Sequence, residues 1–373
     1  MKKTNKIRYA VVGLGHIAQS AVLPGFKNAS NSTLAALVSG NPKKLKELGK
    51  RYKVKNLYSY DQYDECLNSD EIDAVYITLP NNQHREYSER AMQAGIHVLC
   101  EKPMAVSSDA CESMIRTAKE NRVKLMVAYR LHFEESHLDA IRLLKANKFG
   151  DVRVINSTFT VPIKHPGIRT SLRQEGGGPL YDIGIYCINA ARYLFRSEPE
   201  EVLAMAARSD KDVFKNIDES VAVQMKFPGE GLASFVCSFG CAHVGNIQVA
   251  GTKGDLFIEN AYQYYGPKFL HATIRDKTKI KKVKSTDQFG PELLYFSNCI
   301  IKDIEPESSG KEGLADIRII ESIYRSLDTR QPVRVESTLE RPERPEPGQE
   351  ISLPEVKKPE LIEVEKPTGK EAA

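Results

Sequence analysis

Two short stretches carry side chains that chemistry can use. GGGPLYDIGIYCIN, Gly176 to Asn189, sets three glycines before an apolar segment holding Asp182 and Tyr186 four residues apart. A helix from Pro179 onward would put the acid and the phenol on one face. Glycine offers a core nothing to pack and loses the most backbone entropy on folding, so the triplet reads as backbone passing close to a flat ligand. HVLCEKPM, His97 to Met104, is an apolar strand that ends in Glu101-Lys102-Pro103. A charged pair at the C-terminal end of a parallel strand faces the crevice where open α/β sheets take ligands. Pro103 fixes the turn and holds Lys102 extended; the Lys102–Pro103 bond is a candidate for the cis form. A lysine there can hydrogen-bond a substrate hydroxyl and lower the pKa of a neighbouring acid.

A third stretch binds rather than reacts. The first apolar run enters Gly13-Leu14-Gly15-His16-Ile17-Ala18, a G-x-G-x-x-A turn opening a helix. Gly13 permits the tight turn, Gly15 lets backbone approach a pyrophosphate, and Ala18 is small enough for helix to pack on strand. Free N–H groups at the helix start then face the phosphates. The end of the second strand, where an Asp or Glu would accept from a ribose 2′-hydroxyl, reads Ser39-Gly40-Asn41-Pro42-Lys43-Lys44. No acid is present and two cations are, so the expected cofactor is NADP rather than NAD.

These motifs need a scaffold. From Lys6 to about Val127, short apolar runs (IRYAVVGLG, TLAALVSG, AVYITLP, HVLCEKP, KLMVAYR) alternate with helix-period segments. That pattern predicts a doubly wound parallel sheet, a Rossmann domain over 1–128. A helix is expected near Glu134 to Lys148, ending at Gly150. Alternating strand patterns follow (DVRVINSTFTV, EVLAMAAR, ESVAVQMKF, GLASFVCSF, NIQVAGTKG, DLFIEN), and a last amphipathic helix covers about 311–327. They predict a second α/β domain over 129–336 with a large, mostly antiparallel sheet. Residues 337–373 are rich in Pro, Glu and Lys, and read first as an extended or disordered tail. Ile351, Leu353, Val356, Leu361, Ile362 and Val364 leave room for a strap lying on its own body or on a neighbour.

Composition bounds the function. With 373 residues, 41% hydrophobic and 27% charged, the chain suits two globular domains. A net charge of +4 without a dense basic run argues against nucleic acid and anionic membranes. No signal-peptide core precedes Gly13 and no run is long enough to span a bilayer, so a cytoplasmic protein is expected. The seven cysteines are odd in number and lack a C-x-x-C pair, and read as reduced core residues. No His/Asp/Glu set has metal-ligand spacing, so no metal is expected.

Taken together, G-x-G-x-x-A, L-P-N-x-x-H (Leu79, Pro80, Asn81, His84), E-K-P (Glu101 to Pro103), Y-R (Tyr129, Arg130) and GGG-x-L-x-D-I-G-I-Y resemble the Gfo/Idh/MocA oxidoreductases. The wording is most similar to the NADP-dependent sugar branch that includes glucose-fructose oxidoreductase, over about 6–334. The resemblance implies a Rossmann domain followed by an α/β domain whose open sheet forms homodimers or homotetramers. It also implies cofactor contacts from Gly13 to Ile17, Ser39, Gly40, Asn41, Lys44, Leu79, Pro80, Asn81, His84, Glu101, Lys102 and Arg130. Lys102, Asp182 and Tyr186 would be catalytic, with Arg130 and Arg169 joining them around a sugar or polyol. Arg173 and His132 are further candidates for the sugar pocket, and His16, His97 and His137 read otherwise as structural. A free tyrosine, with a pKa near 10, is a poor base at neutral pH; a nearby cation makes its phenolate easier to form. Tyr186 would then take a hydroxyl proton while Asp182 and Lys102 orient the sugar. Where the branch often has Trp-Arg, this chain has Ile168-Arg169, implying a differently shaped pocket. The expected reaction is oxidation of an aldose at C1 to a lactone. The alternatives are a cyclic polyol or trans-dihydrodiol dehydrogenase, and a non-catalytic NADP-binding regulator.

Overall fold

Strand runs as apolar as AVV and AVYI remain in place only when both faces are covered, and the structure covers them. A computed structural model describes residues 6–336 and 345–364. Its first sheet is parallel, formed by β1 (Ile7–Val12), β2 (Ser32–Val38), β3 (Asn56–Tyr58), β4 (Ala74–Ile77), β5 (His97–Glu101) and β6 (Leu125–Ala128). The order β3-β2-β1-β4-β5-β6 reverses direction between β1 and β4, which is where doubly wound sheets open a crevice at their C-terminal ends. Five motifs of this unit lie at those ends: the glycine turn after β1, Ser39 after β2, Leu79-Pro80-Asn81 after β4, Lys102 after β5 and Tyr129-Arg130 after β6. Ala10, Val11, Val12, Ala74, Val75 and Ile77 are fully buried; each valine or isoleucine so placed contributes roughly 1.5–3 kcal/mol.

The second sheet is mixed and mostly antiparallel. It contains β7 (Val152–Thr160), β8 (Glu201–Ala207), β9 (Ser220–Phe227), β10 (Gly231–Ser238), β11 (Val244–Gly251), β12 (Gly254–Glu259), β13 (Lys268–Ile274), β14 (Lys277–Val283) and β15 (Val333–Arg334). The order is β14-β13-β12-β11-β7-β10-β9-β8-β15, with β7 and β10 parallel. Alternation along β9 buries Val221, Val223, Met225 and Phe227 on one face. The other face leaves Val154, Leu203, Met205, Leu232, Val236 and Val244 exposed, Met205 at 76%.

Three expectations change. The contiguous boundaries at 128/129 and 336/337 give way, among the described residues, to interleaved units: 6–130, 286–314 and 352–364 form one, and 131–285, 315–336 and 345–351 the other. The helix Gly290–Lys302, absent from the sequence reading, explains part of this, because its Ser297 hydroxyl bonds both Tyr9 and Ser32 beneath the parallel sheet, at 2.8 Å each. Residues 345–364, irregular apart from a short turn at Pro347–Gln349, are bonded rather than loose. In the second unit Glu346 pairs with Arg196 at 2.8 Å and Glu350 with Arg142 at 3.1 Å. In the first, the Leu353 carbonyl accepts from Asp287 and the Pro354 carbonyl from Asn28. Residues 337–344 and 365–373 of the expected tail lie outside the described residues. Six cysteines are buried as expected, but Cys241 is exposed.

Candidate active site

In the nucleotide-binding unit, β1 delivers the chain into Gly13 at φ +94°, where a Cβ would stand 2.8 Å from the Thr78 carbonyl oxygen. No other residue type fits that turn. Gly15 is different: a Cβ there would meet nothing within 4 Å. The turn is therefore kept for packing at its first glycine and open for a ligand at its second, which fits a dinucleotide pyrophosphate. Leu14 is buried, while His16 and Ile17 are half-buried beside Gly15. The helix that follows begins with an i→i+5 turn over Ala18–Val22, a form that occurs often at functional sites.

At the end of β2, Asn41 Oδ1 accepts from the Lys44 amide at 3.1 Å and caps the helix Pro42–Tyr52. Ser39 Oγ accepts from the Asn41 amide at 3.2 Å. Ser39, Gly40, Asn41, Lys43 and Lys44 thus form one corner of donors and cations, suited to a 2′-phosphate. Leu79 and Pro80 follow β4, and Asn81 opens the short turn Asn81–Gln83.

His84 is fully enclosed, with Nε2 2.9 Å from the Leu79 carbonyl and Nδ1 2.8 Å from that of Pro103. It ties the β4 turn to the Glu101-Lys102-Pro103 turn, whose Lys102–Pro103 bond is cis. This makes His84 a positioning residue for Lys102. Burial pushes its pKa down despite the two carbonyls.

Behind Lys102 lies a cluster that motif reading did not find. The Tyr76 hydroxyl approaches Glu101 Oε1 at 3.0 Å and Glu292 Oε2 at 3.2 Å, and Arg130 donates to Gln288. Arg130 is only 2% exposed, so its guanidinium serves this cluster. Burial pushes the Glu101 carboxyl up, against the opposing pull of Lys102. Burial, then the like charge of Glu101, pushes Glu292 well above its ordinary 4.5. The native state therefore holds a proton that the unfolded chain releases above that value, and stability must fall as pH rises from there through the folded pKa. Glu292→Gln, which keeps the shape and removes the titration, is expected to flatten this slope. Urea midpoints measured from about pH 5 to 8 check it; parallel curves for the two proteins would refute a protonated Glu292.

In the second unit the glycine triplet is explained by its own loop. A Cβ on Gly177 would stand 2.0 Å from the Ser171 carbonyl oxygen, and Gly176 and Gly178 have φ of +81° and +100°. The expectation of ligand clearance is thus replaced by an internal steric need. The segment is also not α-helical from Pro179: Leu180–Gly184 is an i→i+5 turn, and the α-helix runs Ile185–Phe195. The wider turn re-aims Asp182 relative to Tyr186. Arg169 Nε lies 3.2 Å from Asp182 Oδ2, so these two expected site residues form a pair. Tyr186 is 7% exposed, packed edge-on to Phe159 with centroids 5.8 Å apart and tilted to Tyr262 at 6.1 Å. Arg173 is committed elsewhere, to Asp328 and over the Tyr324 ring at 3.6 Å. His132 is buried, with Nε2 2.7 Å from Asn189 Oδ1.

Comparison with known proteins decides the family. Residues 7–129 match the model of an oxidoreductase family with an NAD-binding Rossmann fold, and residues 137–257 match the GFO/IDH/MocA C-terminal domain. An aldose-aldose oxidoreductase from Caulobacter crescentus, solved with glycerol, is 36% identical with a TM-score of 0.85, over 88% of this chain and 99% of that one. The chain belongs to the Gfo/Idh/MocA oxidoreductase family. Other Gfo/Idh/MocA relatives include the D-xylose 1-dehydrogenase (NADP+) of Haloarcula marismortui, 29% identical over 89% of this chain and 94% of its own length. The trans-1,2-dihydrobenzene-1,2-diol dehydrogenase of Bos taurus is 28% identical over 66% of this chain and 72% of its own. Among the described residues no helix is long and apolar enough to cross a membrane.

Proposed function

We propose that this Gfo/Idh/MocA member is an NADP-dependent oxidoreductase acting on a sugar, oxidising an aldose at C1 to the lactone. The observation that carries the reading is an Asp182–Arg169 pair set one turn before a buried tyrosine, in a chain that also keeps Lys102 at the end of β5. The activities of the Haloarcula and Caulobacter relatives support the substrate class.

Gly13 to Ile17 would hold the pyrophosphate, and Ser39, Asn41 and Lys44 the 2′-phosphate, with Leu79 to Asn81 and Lys102 alongside. Bound NADP+ supplies the hydride acceptor, at nicotinamide C4. Tyr186 removes the proton from the C1 hydroxyl, as the C1–H bond gives up its electron pair. Asp182, its charge balanced by Arg169, and Lys102 hydrogen-bond the sugar hydroxyls and fix which carbon reacts.

The bovine relative favours a second reading, in which the substrate is a cyclic polyol or trans-dihydrodiol. Full-length protein with NADP+ and a panel of aldoses, ketoses, polyols and dihydrodiols separates the two by nicotinamide absorbance. Reduction with aldoses and recovery of the lactone is the expected result. Turnover of dihydrodiols alone selects the second reading, and silence across the panel with nucleotide still binding points to a regulator.

The exposed apolar face of the second sheet supports a self-association surface. A solution mass of two or four chains is expected by light scattering; a mass of one chain at micromolar concentration would overturn this.

A further inference from the structure

Within the nucleotide-binding unit, the segment 352–364 ends on the corner described above. Arg51 donates to the Glu360 carbonyl at 2.7 Å. Ile362 is buried, and its backbone makes two bonds with the side chain of Gln19, receiving from Nε2 at 3.0 Å and giving to Oε1 at 2.8 Å. Gln19 Nε2 also donates to the Leu14 carbonyl in the glycine turn at 2.9 Å. Glu363 follows, with φ +46°, a left-handed conformation uncommon for a side chain of this kind. Its Oε1 lies 2.9 Å from Lys43 Nζ and its Oε2 2.8 Å from Asn41 Nδ2. The two donors and Lys44 hold the Glu363 carboxylate below the usual range.

The end of β2 lacks an acid in the chain's own order, and the strap brings one there from 320 residues away. A carboxylate at this corner can accept from a ribose 2′-hydroxyl, as acids after the second strand do in NAD sites. It cannot share Lys43 and Asn41 with a 2′-phosphate, because two anions at hydrogen-bond distance of the same donors repel. We propose that Glu363 is a specificity-determining residue of the cofactor site, competing with the 2′-phosphate for Lys43 and Asn41 and so setting the preference between phosphorylated and plain adenosine. Strap tip and 2′-phosphate then exclude each other, and by linkage each weakens the other to the same degree. The Gln19 bridge carries the strap's position to the glycine turn. The inference rests on the reading of this cleft as a dinucleotide site.

The test uses full-length protein and two fragments, 2′,5′-ADP and 5′-AMP, titrated calorimetrically into wild type and Glu363→Gln. Removal of an exposed anion that competes for two donors should tighten 2′,5′-ADP about fivefold and leave 5′-AMP equal or slightly weaker. In wild type, 2′,5′-ADP should also speed hydrogen exchange at residues 360–364, and 5′-AMP should not. An unchanged or weakened affinity for 2′,5′-ADP in the variant, with both fragments still binding, overturns the role of Glu363 alone. Failure of both fragments to bind either protein overturns the dinucleotide reading and this inference with it.

Discussion

Tyr186→Phe is expected to lower kcat by about 10² or more with aldose, and to lower kcat/KM in parallel, with nucleotide affinity unchanged. The substitution deletes one oxygen. The ring keeps its place against Phe159 and Tyr262, so the fold is not the variable. Steady-state kinetics, with nucleotide titration of the same preparation, check the split. Turnover within twofold of wild type would remove the phenol from the proton-transfer step and shift attention to Asp182 or to water.

Arg192→Met should cost about 3–5 kcal/mol, the usual penalty for breaking a buried ion pair by removing one partner. Arg192 is fully buried on the helix Ile185–Phe195 that carries Tyr186, and reaches Glu198 Oε2 at 2.6 Å and Asp316 Oδ1 at 2.5 Å. Asp316 Oδ2 accepts from Asn189 at 3.0 Å, and Asn189 bonds His132. Loss of the guanidinium strips the buried Asp316 carboxylate of the Arg192 charge that balances it. At about 2–4 °C per kcal/mol for a unit of this size, Tm should drop by roughly 10 °C. Adding Asp316→Leu removes the stranded charge and should restore part of the loss. A single variant that melts within a degree or two of wild type would mean that the network contributes little.

Much of this was legible in the residues. The parallel sheet announced itself because strands buried on both faces must be apolar throughout, as VLC and AVYI are. β9 and β10 were legible because one wet face imposes alternation. β3 was not, since Asn56–Tyr58 is three half-buried residues at an edge with no pattern to show. β14 escaped for a related reason: KTKIKKV faces water almost throughout, so burial never shaped its composition. The motifs that carry Lys102, Asp182 and Tyr186 were readable, but the contacts around them were not. Glu292 meets Tyr76 across 216 positions, and no local period records such a meeting. The i→i+5 turn at Leu180 was equally hidden, because one extra residue in a turn leaves the apolar spacing nearly unaltered. The strap at 345–364 was obscured by its composition, since it is held by backbone carbonyls and ion pairs rather than by a buried stripe.

The margins of the nine-stranded sheet have one more consequence. One margin is β14, with Lys277, Lys279, Lys281 and Lys282, and the opposite margin is β15, two residues long. Strand addition at the first would stack like charges, and at the second it would find almost no ladder to extend. The sheet is thereby sealed against lengthwise polymerisation. Association of this chain is therefore directed away from its strand edges and toward the apolar face of the sheet.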